Sequence, residues 1–191
     1  RRDLPLVSID VAFLSGSAAD PAGKEGLAQL TYQLLLEGAG DRDAAALDTA
    51  FADLGARVGT SVSPDGGLIG TQVLRQNMEP AMALLADIVK RPKMDPAAFE
   101  HRKEQALSAL AYQVGNPNYL GREAMAAVLY GDEHPYGTLG SGTPETVAGL
   151  SLDDAKEFWQ RAAGPKAAAV IFAGDLSGEE AVELARKYFG S

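Results

Sequence analysis

The chain has 191 residues, 46% of them hydrophobic, with a formal net charge of −9 and no cysteine. That is enough apolar material for one sizeable core, and it leaves no stretch that reads as a long disordered tract. The acidic balance argues against a nucleic-acid binder, which needs a basic face, and the missing cysteines rule out disulfides and thiolate metal sites. The acidity serves solubility first and attraction of basic peptides second. No apolar run of about 18 residues occurs, so no membrane span is expected. No signal peptide is visible, and periplasm and cytoplasm both remain open. The chain starts close to a strand and stops just after a helix, so it reads as a piece of something longer.

In chain order, residues 4–15 alternate, with Val7, Ile9, Val11 and Phe13 on one side and Ser8, Asp10 and Ala12 on the other. This is the pattern of a half-buried strand. Residues 15–23 are turn formers. Residues 25–40 predict a helix whose stripe is Leu27, Leu30 and Leu34, closed by left-handed Gly38 and Gly40. A second helix starts at an Asp43 cap and runs through Leu47, Phe51 and Leu54 to Gly55. Strands over 56–63 and 67–76 flank a Pro64-Asp65-Gly66 turn, the signal of a hairpin. Residues 79–89 predict a helix with Met82, Leu85 and Val89 inward, ended by Pro92.

Asp95-Pro96 opens a long helix carrying Phe99, Ala106, Leu107 and Leu110, with Gly115-Asn116-Pro117 as its stop. A helix over 119–129, a structured loop over 131–142 and a short helix from Thr143 follow. Ser151 and Asp154 resemble a capping box ahead of a helix bearing Phe158 and Trp159. Residues 166–174 predict a buried strand, and 177–189 a last helix with Val182, Leu184 and Tyr188. The hairpin is local and the first and last strands lie far apart in sequence, so no regular βαβ alternation is present. The fold class expected is α+β, a mostly antiparallel mixed sheet covered by helices, in one domain spanning 1–191.

Gln29, Tyr32 and Gln33 stand at i, i+3 and i+4, the spacing at which an H-x-x-E-H helix presents two zinc ligands and a general base. The frame around them is Gly26-Leu27-Ala28 followed by Leu34-Leu35. It resembles the M16 (pitrilysin/insulinase-like) metallopeptidase family. So do Leu54-Gly55-Ala56 with the hairpin after it, Met82 to Pro92, Phe99-Glu100-x-Arg102, Gly131-Asp132-x-His134-Pro135-Tyr136-Gly137 and Ala173-Gly174-Asp175. Each piece is weak alone, but their order spans nearly the whole chain.

The resemblance implies the LuxS/MPP-like metallohydrolase fold. It also implies that the third zinc ligand, a Glu in catalytic members, falls at Ala109, eight residues before Pro117. The ligands would then be Gln29, Gln33 and Ala109, with Tyr32 as the base. Two amides and an alanine do not make a three-ligand zinc site, so no metal, cofactor or catalytic residue is expected here. The family implies the first half of a two-domain, non-catalytic subunit similar to those of processing-peptidase-like proteins. Such a subunit pairs with a zinc-bearing subunit carrying H-x-x-E-H, or with a second M16-like domain, around a peptide chamber. A purely structural subunit, like the core proteins of the respiratory bc1 complex, is the alternative, and an active hydrolase using unrelated residues ranks below both. Association of the chain with a second copy through an open sheet edge is left open.

Other candidates are weaker. His101 and Glu104 share a charged helix face. His134 sits beside Asp132 and Glu133 in the glycine-rich loop, where a structural role is favoured. No G-x-S-x-G elbow occurs, and Gly140-Ser141-Gly142 lacks the Lys-Ser/Thr of a phosphate loop. Asp153 and Asp154 read as helix-start charges. Tyr32, with an ordinary pKa near 10, reads as packing.

Overall fold

The computed structural model describes residues 4–131, 134–164 and 168–190. Strand β1 (Leu6–Phe13) is central, and its alternation is realised: Val7, Ile9, Val11 and Phe13 are all buried. Helix α1 (Leu27–Leu34) follows, then a two-residue ribbon β2 (Gly38–Ala39) and β3 (Arg42–Asp43), and helix α2 (Ala44–Asp53). The hairpin β4 (Val58–Val62) and β5 (Gly67–Leu74) leads to α3 (Met78–Lys90), α4 (Pro96–Gln113) and α5 (Pro117–Tyr130). Then come α6 (Pro144–Ala148), α7 (Leu152–Ala162), β6 (Ala168–Gly174) and α8 (Gly178–Phe189).

The main sheet runs β4-β5-β1-β6 and is antiparallel throughout. The first and last strands are neighbours, with Ile9 opposite Phe172 and Val11 opposite Val170. One face of the sheet meets the helices. The other carries Ser8, Asp10, Leu68, Gln72, Leu74 and Ile171, with the last four exposed. The α+β class expected from the sequence is the fold observed.

Local chemistry explains most element boundaries. Asp43 accepts the Ala46 N–H at 2.8 Å, and Asp95 accepts those of Ala97 and Ala98, with Pro96 in the first helical turn. Ser151 and Asp154 exchange the two bonds of a capping box, as do Ser177 and Glu180 at α8.

Three expectations are corrected. The helix predicted over 25–40 is not closed by a left-handed glycine. It tightens into a 3₁₀ turn over Leu35–Glu37, and Gly38 (φ 139°) opens the β2–β3 ribbon. The helix predicted from 119 begins at Pro117, because Asn116 caps it by accepting the Asn118 N–H. The strand predicted as buried, β6, is a sheet edge. Among the described residues only β1 pairs with it, and Ala168, Ala169, Ile171, Ala173 and Gly174 are exposed. Likewise no residue of α8 is fully buried and Val182 is exposed, although Leu184, Tyr188 and Phe189 pack against the core. Lys166, the expected start of β6, lies outside the described residues.

Candidate functional site

Helix α1 is held at its start by groups distant in sequence. Its first turn has no local side-chain cap. Instead the Asp20 carboxylate accepts the Gly26 and Ala28 N–H groups at 3.0 and 2.8 Å, satisfying donors that a helix start leaves open. Burial pushes the Asp20 carboxyl up to about 7, against the opposing pull of those two N–H donors. Gly26 (φ 98°) has no room for a side chain: a Cβ there would stand 2.8 Å from the Ser141 carbonyl oxygen and 2.9 Å from Val147. The Thr146 hydroxyl donates to the Glu25 carbonyl at 2.8 Å, and Lys24 pairs with Asp154 at the head of α7. Asp20, the loop before α6, α6 itself and the head of α7 therefore clamp the start of α1.

From this clamped start, α1 faces α4 across a cleft of about 240 Å³. Gln29 and Gln33 line it from α1, and Arg102, Gln105, Ala109 and Gln113 from α4. The structure thus brings together three of the four positions singled out in the sequence, Gln29, Gln33 and Ala109. The side-chain amides of Gln29, Gln33 and Gln113 have no hydrogen-bond partner among the described residues. Arg102 is held by Glu37, its Nε donating to Oε1 at 2.6 Å, and its Nη1 donates to Gln105 Oε1 at 3.2 Å. A second hollow of about 310 Å³ shares Gln29, Gln113 and Ser141 and extends the cleft to Val62, Ser63 and Pro64 at the β4–β5 turn.

Tyr32, the fourth position, points the other way. It is fully buried in an aromatic cluster, with ring centroids 6.1 Å from Phe13, 6.3 Å from Phe158 and 5.7 Å from Trp159. Its hydroxyl donates to the Ser15 carbonyl at 3.1 Å, and burial pushes its pKa upward. The ring lies over β5, where a Cβ on Gly67 would fall 2.1 Å from Tyr32 Cζ. One turn of α1 therefore divides its labour, with glutamines toward the cleft and tyrosine toward the sheet.

The donors in the cleft do not fit a zinc ion. Zinc takes imidazole, thiolate or carboxylate, whereas these positions offer two neutral amides and a methyl group, with a guanidinium on the same wall. Among the described residues no three His, Cys, Asp or Glu side chains cluster as a metal site would require.

The remaining candidates resolve into structure. His101 Nε2 meets Gln105 Nε2 at 2.8 Å on an exposed face of α4. His134 Nδ1 accepts the Tyr136 N–H at 3.1 Å and its ring stacks on Tyr130. Its proposed companions Asp132 and Glu133 lie outside the described residues. Sequence reasoning passed over Arg102, Gln105 and Gln113 as cleft residues. The signal was there: 105, 109 and 113 recur every four residues, so the stripe containing Ala109 is a glutamine stripe.

A sequence model of the insulinase family, peptidase family M16, matches residues 4–139. The chain belongs to that family. It is 25% identical, over 91% of its length, to a non-peptidase homolog YmxG of Helicobacter pylori, of which it covers 40%. It is 24% identical, over 96% of its length, to subunit 1 of the mitochondrial cytochrome b-c1 complex of Caenorhabditis elegans, covering 38% of that protein. Among solved structures, the peptidase M16 inactive domain from Pseudomonas fluorescens superposes with a TM-score of 0.91 at 29% identity. That match covers 100% of this chain and 46% of the other. The chain thus spans less than half the length of these relatives. No helix among the described residues is long and apolar enough to cross a membrane.

Proposed function

We infer that this chain is a non-catalytic M16 domain, the first half of a two-domain subunit, that supplies one wall of a peptide chamber whose zinc site lies on a partner carrying H-x-x-E-H. The observation that carries this reading is the cleft. Gln29, Gln33 and Ala109 converge there as ligands would, yet hold no zinc-binding donor, and Tyr32 has been given over to the core. The unpartnered amides supply both donors and acceptors, the complement of a peptide backbone. The cleft continues to the turn of the edge hairpin, which favours an extended ligand.

The test is to express the chain in its parent polypeptide together with the M16 protein bearing an intact H-x-x-E-H that is encoded nearest to it. Cleavage of a fluorogenic peptide is then measured for each subunit alone and for the mixture. Cleavage by the mixture well above that of the zinc subunit alone is the expected result. Chelator-sensitive cleavage by this protein alone would overturn it. A second reading, a structural subunit that handles no peptide, is favoured by the likeness to the b-c1 subunit, and a stable complex without added activity would select it.

A further inference from the structure

We propose that the cleft selects peptides that carry a carboxylate, which Arg122 holds at the end of the cleft away from Arg102. This rests on the reading of the cleft as a peptide site and adds which peptides it takes.

The charge of the cleft is opposite to that of the molecule. The chain carries 26 acidic against 17 basic residues, yet no Asp or Glu is present among the described residues that line the two joined hollows. The charged groups there are Arg102 in the first hollow and Arg122 in the second. Gln29 and Gln113, common to both hollows, stand between them.

The two arginines are not equivalent. Arg102 is neutralised by Glu37, whose Oε1 lies 2.5 Å from Nη2 and 2.6 Å from Nε. Arg122 has no hydrogen bond or ion pair among the described residues. Its own helix supplies none, because the positions three and four away are Asn118, Tyr119, Met125 and Ala126, and these are the spacings at which helical ion pairs form. Glu123, the next residue, lines a different hollow together with Glu25. Tyr119, one turn before Arg122, is buried and lines the same hollow, which anchors this face of α5 at the cleft.

An unpaired guanidinium presents a planar fork of donors that matches both oxygens of a carboxylate, and such charge-assisted bonds are roughly twice as strong as neutral ones. The length also fits. From Arg102 to Gln113 the cleft follows α4 for roughly 16 Å, room for about five residues of extended chain. A backbone paired with the glutamines along this length continues past Gln113 into the hollow that Arg122 lines. A chain end and an Asp or Glu side chain offer the same group to it.

The test is equilibrium binding to the parent polypeptide without its partner, read by fluorescence anisotropy, so that no cleavage is required. The probes are acetylated Ser/Ala/Thr peptides of about seven residues carrying a neutral dye. One ends in a free carboxylate, one is amidated, and one is amidated with a single internal Asp. At least one carboxylate peptide should bind fivefold or more tighter than the uncharged one, and which of them does so tells chain end from side chain. Arg122→Gln should erase that preference while shifting the Kd of the uncharged peptide less than twofold. Arg161→Gln removes an exposed cation of α7 outside the cleft and should leave the preference intact. Ala109→Phe, which fills the cleft, should weaken binding of all three peptides. Equal binding of charged and uncharged peptides, a preference that survives Arg122→Gln, or one lost equally with Arg161→Gln would overturn the proposal and leave the peptide site standing. Binding of no peptide, or binding untouched by Ala109→Phe, would overturn the peptide site and the proposal with it.

Discussion

Replacing Gly67 with alanine probes the packing of Tyr32 against the sheet. The new Cβ would stand 2.1 Å from Tyr32 Cζ and 2.5 Å from both Cε1 and Oη, well inside any tolerated contact. The ring cannot swing away, because Phe13, Phe158 and Trp159 enclose it and Ser15 holds its hydroxyl. Overpacking of this kind costs roughly 1–3 kcal/mol, with the upper end expected where both partners are rigid. The sign should reverse once the ring is removed. In a Tyr32→Leu background the added methyl meets free space, and alanine is favoured over glycine within a strand by roughly 0.5–1 kcal/mol. A double-mutant cycle by urea denaturation should therefore return a coupling of roughly 3–4 kcal/mol, the overpacking cost plus the gain that replaces it, at or just above the top of the range for residues in contact. A neutral Gly67→Ala, or a cycle that is additive, would refute the claim that Tyr32 serves as a core plug against β5.

Three further outcomes follow from the same geometry. Asp20 has a folded pKa of about 7 against roughly 3.9 unfolded. Between those values the folded state keeps a proton that the unfolded state has lost, so this group's contribution to stability falls as pH rises from about 4 to 7. Melting temperatures of wild type and Asp20→Asn across that window should converge or cross with rising pH, and parallel profiles would count against the assignment. Tyr32→Phe should cost about 1 kcal/mol through its lost bond to Ser15, measured by chemical denaturation; a neutral result would mean that the hydroxyl bond adds nothing. Gln29→His combined with Gln33→His and Ala109→Glu should create a zinc site, since all three positions line one cleft. At zinc a hundredfold above its Kd the variant should gain about 2.7 kcal/mol in stability, whereas wild type should gain nothing. A folded variant indifferent to zinc would show that the positions do not converge closely enough.

What was legible in the sequence was what is local. The alternation of Val7 to Phe13, the caps Asp43, Asp95 and Ser151, and the Pro64-Asp65-Gly66 turn each act within a few residues, and each appears where expected. The failures involve distant partners. An apolar run such as AAVIFAG reads as buried, but whether a strand is central or at an edge depends on what lies beside it, and β6 has a neighbour on one side only among the described residues. Asp20 passed as one turn former among several, because its cap acts on Gly26 and Ala28, six and eight residues away. Helical spacing put Gln29, Tyr32 and Gln33 on one face, and only packing could divide that face. Residues on the same broad stripe differ by up to about 100° in direction, enough for Tyr32 to enter the core while the glutamines stay outside it.

That division bears on why the cleft persists. A helix retained for packing alone would need only Leu27, Leu30, Tyr32 and Leu34, all buried here. Its cleft face would then be free to close by filling the space with larger apolar side chains, since burying such groups is favourable and a hollow contributes nothing. Instead the face stays open and polar, with Ala109 small and the amides of Gln29 and Gln33 unpaired toward the space. The clamp of Asp20, Thr146 and Lys24 at the start of α1 holds that face in position, and Glu37 restrains Arg102 on the opposite wall. Neutral donors and acceptors held in this way suit the N–H and C=O groups of a backbone, which carry no net charge and demand pairing when they leave water. That chemistry agrees with the proposed role of the cleft as a binding surface for an extended chain.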